Sequence, residues 1–341
     1  MRASIATSLV VLVAVSSVAC DKDKSSSTTT SASPSASVAS TSTPNTMDAA
    51  AETPAAAAAD AGHAASAKEP VLTLKDVGLA TPESVLYDDT NDVYIVSNIN
   101  GKPLDADGNG FISKFSPDGK GATLKWIEGG KNKVTLNAPK GMTIVGDLLY
   151  VADIDTVRMF DRKTGAPAGE VKVPGAVFLN DIAPTSDGRV VVTDTGMKAS
   201  AKGFEPAGTD AVYAIDKAKK LTTLAKGSDL GAPNGILVAG ERTWVVTFGT
   251  NELYRLDAKG KKTDVVKLPK GSLDGIVLLP SGDLLVSSWE ANAVYRGKPG
   301  GEMTAVIENV KSPADIGYDS KRNRVLVPLF ESNEVQAYEI K

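Results

Sequence analysis

From residue 69 to the C-terminus, apolar and polar positions alternate in short runs bounded by Gly, Asp and Asn. "RVVVTD" (189–194) follows Asp187-Gly188, "LLVSSW" (284–289) follows Ser281-Gly282-Asp283, and "RVLVPLF" (324–330) follows the turn Asp319 to Asn323. A period of two with β-branched residues, punctuated by turn formers, predicts strands. Each of these runs reads as the second strand of a unit. Third strands are predicted at 211–216, 252–257, 293–298 and 334–340, and fourth strands at 220–225, 264–269 and 302–307.

The units recur. Six triplets open them in one register: Glu83-Ser84-Val85, Lys140-Gly141-Met142, Asn180-Asp181-Ile182, Asn234-Gly235-Ile236, Asp274-Gly275-Ile276 and Ala314-Asp315-Ile316. Their spacings are 57, 40, 54, 40 and 40 residues. A period near 40 built of four short strands is the signature of a propeller blade. The chain is therefore expected to be all-β, a six-bladed β-propeller over 69–341. Two insertions, between Asn98 and Gly110 and between Met197 and Thr209, account for the longer spacings and are expected at the axial mouth. The last blade lacks a fourth strand at the C-terminus. "VLTLKDV" (71–77) is placed to supply it and so close the ring.

In a propeller, equivalent positions of all blades meet at the central axis. The first column of the triplets reads Glu83, Lys140, Asn180, Asn234, Asp274, Ala314. Two carboxylates and two carboxamides make a hard-oxygen donor set that suits a divalent cation such as Ca²⁺, Mg²⁺ or Mn²⁺. A carboxylate beside such an ion is a candidate general base. Lys140 in the same column either binds an anionic substrate or competes with the ion, and its stem is long enough to reach solvent.

Composition narrows the chemistry. The chain holds one histidine, His63, and one cysteine, Cys20, both before residue 69. The predicted propeller therefore has no Ser-His-Asp triad, Cys-His pair or histidine-ligated zinc site. The net charge of −4 carries no basic block, so no nucleic-acid partner is expected. Residues 1–19 read as a bacterial signal peptide, with Arg2 before the apolar run Leu9 to Val15, and Ser17-Val18-Ala19-Cys20 resembles a lipobox. Cys20 is the expected lipidation site. Residues 20–68, rich in Ser, Thr, Ala and Pro, form an expected disordered tether. The expected location is that of an exported bacterial lipoprotein, periplasmic or on the outer face of a cell membrane. Its expected partners are the membrane, through the lipid anchor, and a small-molecule substrate, with the protein a monomer.

"TPESVLYDDTNDVYIVSN", "FLNDIAPTSDGRVVVTD", "PNGILVAGERTWVVT" and "LDGIVLLPSGDLLVSSW" resemble, in order, four signature blades of the senescence marker protein / gluconolactonase / luciferin-regenerating-enzyme family. The resemblance runs through residues 80–341. It implies a lactonase-type hydrolase in which Glu83, Asn234 and Asp274 hold a divalent metal, Ca²⁺ first, with Mg²⁺, Mn²⁺ or Zn²⁺ as alternatives. It also implies that Asn180 contacts substrate or a metal-bound water and that Asp274 is the base; Lys140 in the second-blade slot of the column departs from the family pattern and is the further candidate for binding substrate. Two residues before the Asn-Asp pair, sugar-lactone hydrolases of the family often carry Arg; here Phe178 stands there. The same fold hosts non-catalytic members, so a binding propeller of the cell envelope is the rival reading.

Two features stand apart. "DADGNGFIS" (105–113) matches the first positions of an EF-hand calcium loop, but Ser116 stands where the bidentate Glu belongs and the flanks read as strands, so a turn capping the channel is expected. Trp126, Trp244 and Trp289 are read as strand residues packing between blades, with Trp289, at the end of a strand in the Asp274 blade, the one placed to do otherwise.

Overall fold

The computed structural model describes residues 68–201 and 203–341. The signal peptide, Cys20, and all of the tether except Lys68 lie outside the described residues. The chain begins with β1 (Leu72–Leu74), which is held for the last blade. Blade one follows as β2 (Pro82–Asp88), β3 (Val93–Asn98), β4 (Phe111–Phe115) and β5 (Ala122–Glu128). Blade two is β6 (Pro139–Val145), β7 (Leu148–Asp153), β8 (Thr156–Asp161) and β9 (Pro167–Lys172). Blade three is β10 (Leu179–Pro184), β11 (Val190–Asp194), β14 (Ala211–Ile215) and β15 (Leu221–Lys226), with the hairpin β12 (Met197–Ser200) and β13 (Gly203–Pro206) projecting from it. Blade four is β16 (Pro233–Ala239), β17 (Arg242–Thr247), β18 (Glu252–Leu256) and β19 (Lys262–Lys267). Blade five is β20 (Leu273–Leu278), β21 (Leu284–Ser288), β22 (Ala293–Gly297) and β23 (Thr304–Glu308). Blade six is β24 (Gly317–Asp319), β25 (Arg324–Leu329) and β26 (Glu334–Glu339), completed by β1. The six-bladed propeller read from the sequence is the fold.

The alternation explains why the blades stack. Successive residues on a strand face opposite sides of its sheet. Val190 and Val192 of β11 therefore pack toward blade two, whereas Val191 packs toward blade four. Tyr94 and Val96 of β3 likewise face blade six, and Ile95 faces blade two. Each of six apolar clusters is shared by two adjacent blades, so the core is a ring of interfaces. Truncating a fully buried residue such as Ile95 to Ala would cost about 2–5 kcal/mol.

Closure follows the expectation. β1 pairs antiparallel with β26, Leu72 opposite Ala337 and Leu74 opposite Val335, and so covers that edge. Between blades six and one Arg322 grips Asp92 at 2.8 Å, and the Tyr94 hydroxyl donates to Asp319 at 2.7 Å. Because β1 runs toward the mouth and β26 away from it, the described chain starts and ends on the face opposite the mouth.

Each of blades one to five carries a register shift between its first two strands at the anchor triplet, as between Pro82 and Val85 or Leu273 and Ile276. A β-bulge of this kind re-aims side chains and leaves an N–H outside the ladder. Hydroxyls on the second strand take up that group: the Ser84 N–H donates to Ser97 Oγ, the Asp181 N–H to Thr193 Oγ1 and the Gly275 N–H to Ser287 Oγ, each within 3.0 Å. Gly235 and Gly275 are required by proximity. A Cβ on Gly235 would sit 2.2 Å from the Asp274 carbonyl oxygen, and one on Gly275 would sit 2.3 Å from the Ile316 nitrogen.

Candidate active site at the axial mouth

The bulges turn the first anchor residue of each blade inward at one end of the channel. Glu83, Lys140, Asn180, Asn234 and Asp274 all line one cavity there, with about 660 Å³ of empty space including its open mouth. All five side chains are buried, and Ala314 fills the sixth position. The sequence column is thus a structural ring.

The ring has a consistent orientation. Asn180 Nδ2 donates to Thr195 Oγ1 at 3.0 Å, and Asn234 Nδ2 donates to the Leu273 carbonyl at 3.2 Å. Both carboxamide nitrogens are thereby tied to the scaffold. Asp274 Oδ2 accepts from the Trp289 indole N–H at 2.7 Å. What remains is one buried oxygen per residue without a hydrogen-bond partner: Glu83 Oε2, Asn180 Oδ1, Asn234 Oδ1 and Asp274 Oδ1. Buried polar atoms are normally satisfied, and each left unpaired costs about 1–3 kcal/mol. Four such oxygens on one six-position ring, three of them on the consecutive blades of Asn180, Asn234 and Asp274, fit a hard cation. Among the described residues no three His, Cys, Asp or Glu side chains gather as a metal cluster. The donor set is two carboxylates completed by two carboxamides.

The electrostatics agree. Burial pushes the Asp274 carboxyl up to about 7, opposed by the Trp289 hydrogen bond and reinforced by the Asp181 charge. Burial also raises Glu83 well above the ordinary carboxylate range, with Asp274 and Asp315 adding to the shift and Lys140 opposing it. Crowded carboxylates that resist ionisation are those a positive ion would relieve. The Lys140 stem does not carry its amine to solvent: the residue is 1% exposed. Burial lowers its ammonium to about 8, and Glu83 and then Asp153 pull it back up.

One ring deeper lie Asp181 and Asp315, which the sequence placed in the second anchor column without assigning a role. Asp181 accepts from the N–H groups of Ile182 and Ile236, and Asp315 accepts from Ser84 Oγ at 2.5 Å. These carboxylates brace the channel.

A second set of mouth residues was missed. The residue that follows the second strand in five blades, Ile99, Thr195, Phe248, Trp289 and Phe330, also lines the cavity. Trp289 is therefore not a strand residue; it sits in the turn after β21, with Phe248 at 5.9 Å and Phe330 at 4.9 Å between ring centroids. Trp126 and Trp244 pack between blades as expected. The signal was available as a shared register, but the residue types differ from blade to blade. Both insertions reach the mouth. Pro103 comes from the first, and Met197 and Phe204 come from the β12–β13 hairpin, where Phe204 meets Phe178 at 5.6 Å. The acidic stretch near Asp107 is a turn. Asp107 accepts from Asn109, and the Gly108 N–H donates to Asn137 Oδ1 at 3.1 Å.

Comparison with known proteins agrees with the six-bladed fold. No curated protein sequence matches the chain. Among solved structures, luciferin-regenerating enzyme superposes with a TM-score of 0.60 at 14% identity, covering 79% of this chain and 94% of that one. A gluconolactonase from Xanthomonas campestris gives 0.60 at 16% identity, covering 79% and 89%. Virginiamycin B lyase from Staphylococcus aureus gives 0.55 at 16%, covering 79% and 99%. At these identities the likeness is one of fold. The sequence profile described as "SMP-30/Gluconolactonase/LRE-like region" matches residues 81–316, from the first anchor blade to the last, and the chain belongs to that family.

Proposed function

We propose that the chain is a divalent-metal-dependent hydrolase of a small lactone or related ester, acting as a monomer tethered through Cys20 at a bacterial membrane. One observation carries the reading: four buried oxygens, on Glu83, Asn180, Asn234 and Asp274, share the floor of one cavity and lack partners. Glu83, Asn234 and Asp274 would hold the ion, with Ca²⁺ the first expectation and Mg²⁺, Mn²⁺ or Zn²⁺ the alternatives. A bound divalent ion supplies Lewis acidity toward a carbonyl oxygen.

The chain's own residues supply the rest. Water adds to the ester carbonyl and gives up a proton to the Asp274 carboxylate, the base of this reading. The ring C–O bond then breaks, and the leaving oxygen receives that proton, so lactone plus water becomes a hydroxy acid. The Trp289 indole fixes the Asp274 carboxyl. Asn180, anchored through Thr195, presents its oxygen to substrate or water. The aromatic walls exclude bulk solvent, which strengthens each of these interactions.

The test is steady-state hydrolysis of neutral, anionic and alkyl lactones by the metal-loaded protein and by Asp274→Asn. Turnover that the variant loses by 10²-fold or more supports the reading. No turnover with any divalent ion, or an Asp274→Asn variant as active as wild type, overturns it and favours a binding propeller.

A further inference from the structure

Lys140 is the buried group that the hydrolytic steps do not use. Its Nζ has one hydrogen-bond acceptor, the Ala138 carbonyl at 2.9 Å, so two of its three N–H donors lack one. Among the described residues it makes no ion pair. Asp153, one of the two carboxylates whose charge it feels, is itself paired with Arg158 at 3.0 Å. The other is Glu83, which the cation site claims. With a divalent ion balancing Glu83 and Asp274, Lys140 is left as a buried positive charge on the cavity floor. An unpaired buried charge is costly, and the open cavity is where its partner can enter.

The wall beside it sets the rest of the ligand. Lys140 Nζ lies 4.9 Å from the Phe178 ring, which packs on Phe204. Facing them is the aromatic row Phe248, Trp289 and Phe330. A polyhydroxylated sugar ring would leave its hydroxyls unpaired against these faces, whereas an apolar ring or alkyl chain would not.

We propose that Lys140 is the receptor for a carboxylate on the substrate, so that the site takes monoanionic lactones or esters with an apolar body. The lactone part of this statement rests on the hydrolase reading; the carboxylate receptor does not. Asp181 and Asp315 lie one ring deeper, with hydrogen bonds of their own, and do not line the cavity.

Binding separates the two claims. The calcium-loaded full chain is titrated with 4-phenylbutyrate, with 4-phenylbutan-1-ol and with gluconate, followed by calorimetry and by quenching of tryptophan emission. The acid is expected to bind at least tenfold tighter than the alcohol, as for a hydrogen bond to a charged group, and tighter than gluconate. Lys140→Met should erase the difference between acid and alcohol while leaving the alcohol bound; Lys140→Gln repeats the test should the first variant fold poorly. Equal binding of acid and alcohol by wild type overturns the proposal and needs no variant. So does an acid preference that survives in both variants, since it would place the carboxylate on the cation. Tighter binding of gluconate overturns the apolar body. A parallel assay compares a phenyl-substituted lactone with its carboxylate-bearing analogue. If neither is hydrolysed but the Lys140-dependent preference holds, the hydrolase reading fails and the receptor stands.

Discussion

The buried carboxylates of the mouth make a stability prediction with an unusual sign. Most acids in folded proteins have lowered pKa values and stabilise as pH rises. Here burial raises Asp274 from 3.8 to about 7 and Asp181 to about 6, and it lifts Glu83 and Asp315 as well. A folded-state pKa above the unfolded one means that the native protein binds the proton more tightly. Between the two values the native state carries more protons than the unfolded chain, so stability falls as pH rises. For Asp274 the window runs from about pH 4 to about pH 7. A shift of that size, at about 1.4 kcal/mol per unit, is worth on the order of 4 kcal/mol. In a domain of this size that corresponds to roughly 10 °C of melting temperature. A divalent ion competes with the same protons, so its stabilisation grows across the window, reaching about 2.7 kcal/mol at a hundredfold excess over Kd. The assay is thermal melting in chelator and in excess CaCl₂ from pH 5 to pH 8. The chelated protein should melt at lower temperature as pH rises, and the calcium gain should widen. Asp274→Asn should flatten the chelated slope and lose most of the gain. A chelated melting temperature that rises with pH, or a calcium gain largest at pH 5, would refute the placement of these carboxylates.

Four further outcomes follow from other parts of the structure. Trp289→Phe removes the indole N–H that holds the Asp274 carboxyl down; the acid limb of kcat/KM should move to higher pH, and an unmoved limb would count against Asp274 as the base. Asn180→Ala should keep most of the calcium-induced gain in melting temperature yet reduce kcat/KM; loss of the gain would make Asn180 a main ligand. Gly235→Ala drives a Cβ against the Asp274 carbonyl and should cost about 1–3 kcal/mol or more, read as a lower urea midpoint. A chain starting at residue 69 should melt like the full protein, whereas one starting at residue 80 lacks β1, leaves the β26 edge open and should melt lower and aggregate.

Much of this fold could be read from the chain because its order is periodic. Runs such as 189–194 and 252–257 are short, rich in apolar residues and bounded by turn formers, and β11 and β18 fall within one residue of them. The anchor column was legible because Asn-Gly, Asp-Gly and Asn-Asp recur in register with a fixed neighbour, the apolar third residue that packs between blades. The aromatic wall was not, because the position shared by Ile99, Thr195, Phe248, Trp289 and Phe330 is aromatic in only three blades and lies one residue past the second strand. Phe178 was noticed only as a departure from the family; that it faces both Lys140 and Phe204 depends on the β12–β13 hairpin, which reads as an insertion without strand signal. The free oxygens were equally hidden. Which atom of Asn180 or Asn234 faces the cavity is set by Thr195 Oγ1 and the Leu273 carbonyl, and those contacts belong to the tertiary structure.

A titration of Ca²⁺ into metal-free protein, followed at once by calorimetry and by initial rates on a phenyl-substituted γ-lactone, joins the site to the chemistry. The ion should bind at one site per chain, and the rate should rise from zero with a half-maximum equal to the calorimetric Kd. Both signals should be lost together in Asp274→Asn. Hydrolysis that persists in chelator, or an ion that binds at the mouth without any lactone turning over at any concentration, would contradict a metal-dependent hydrolase.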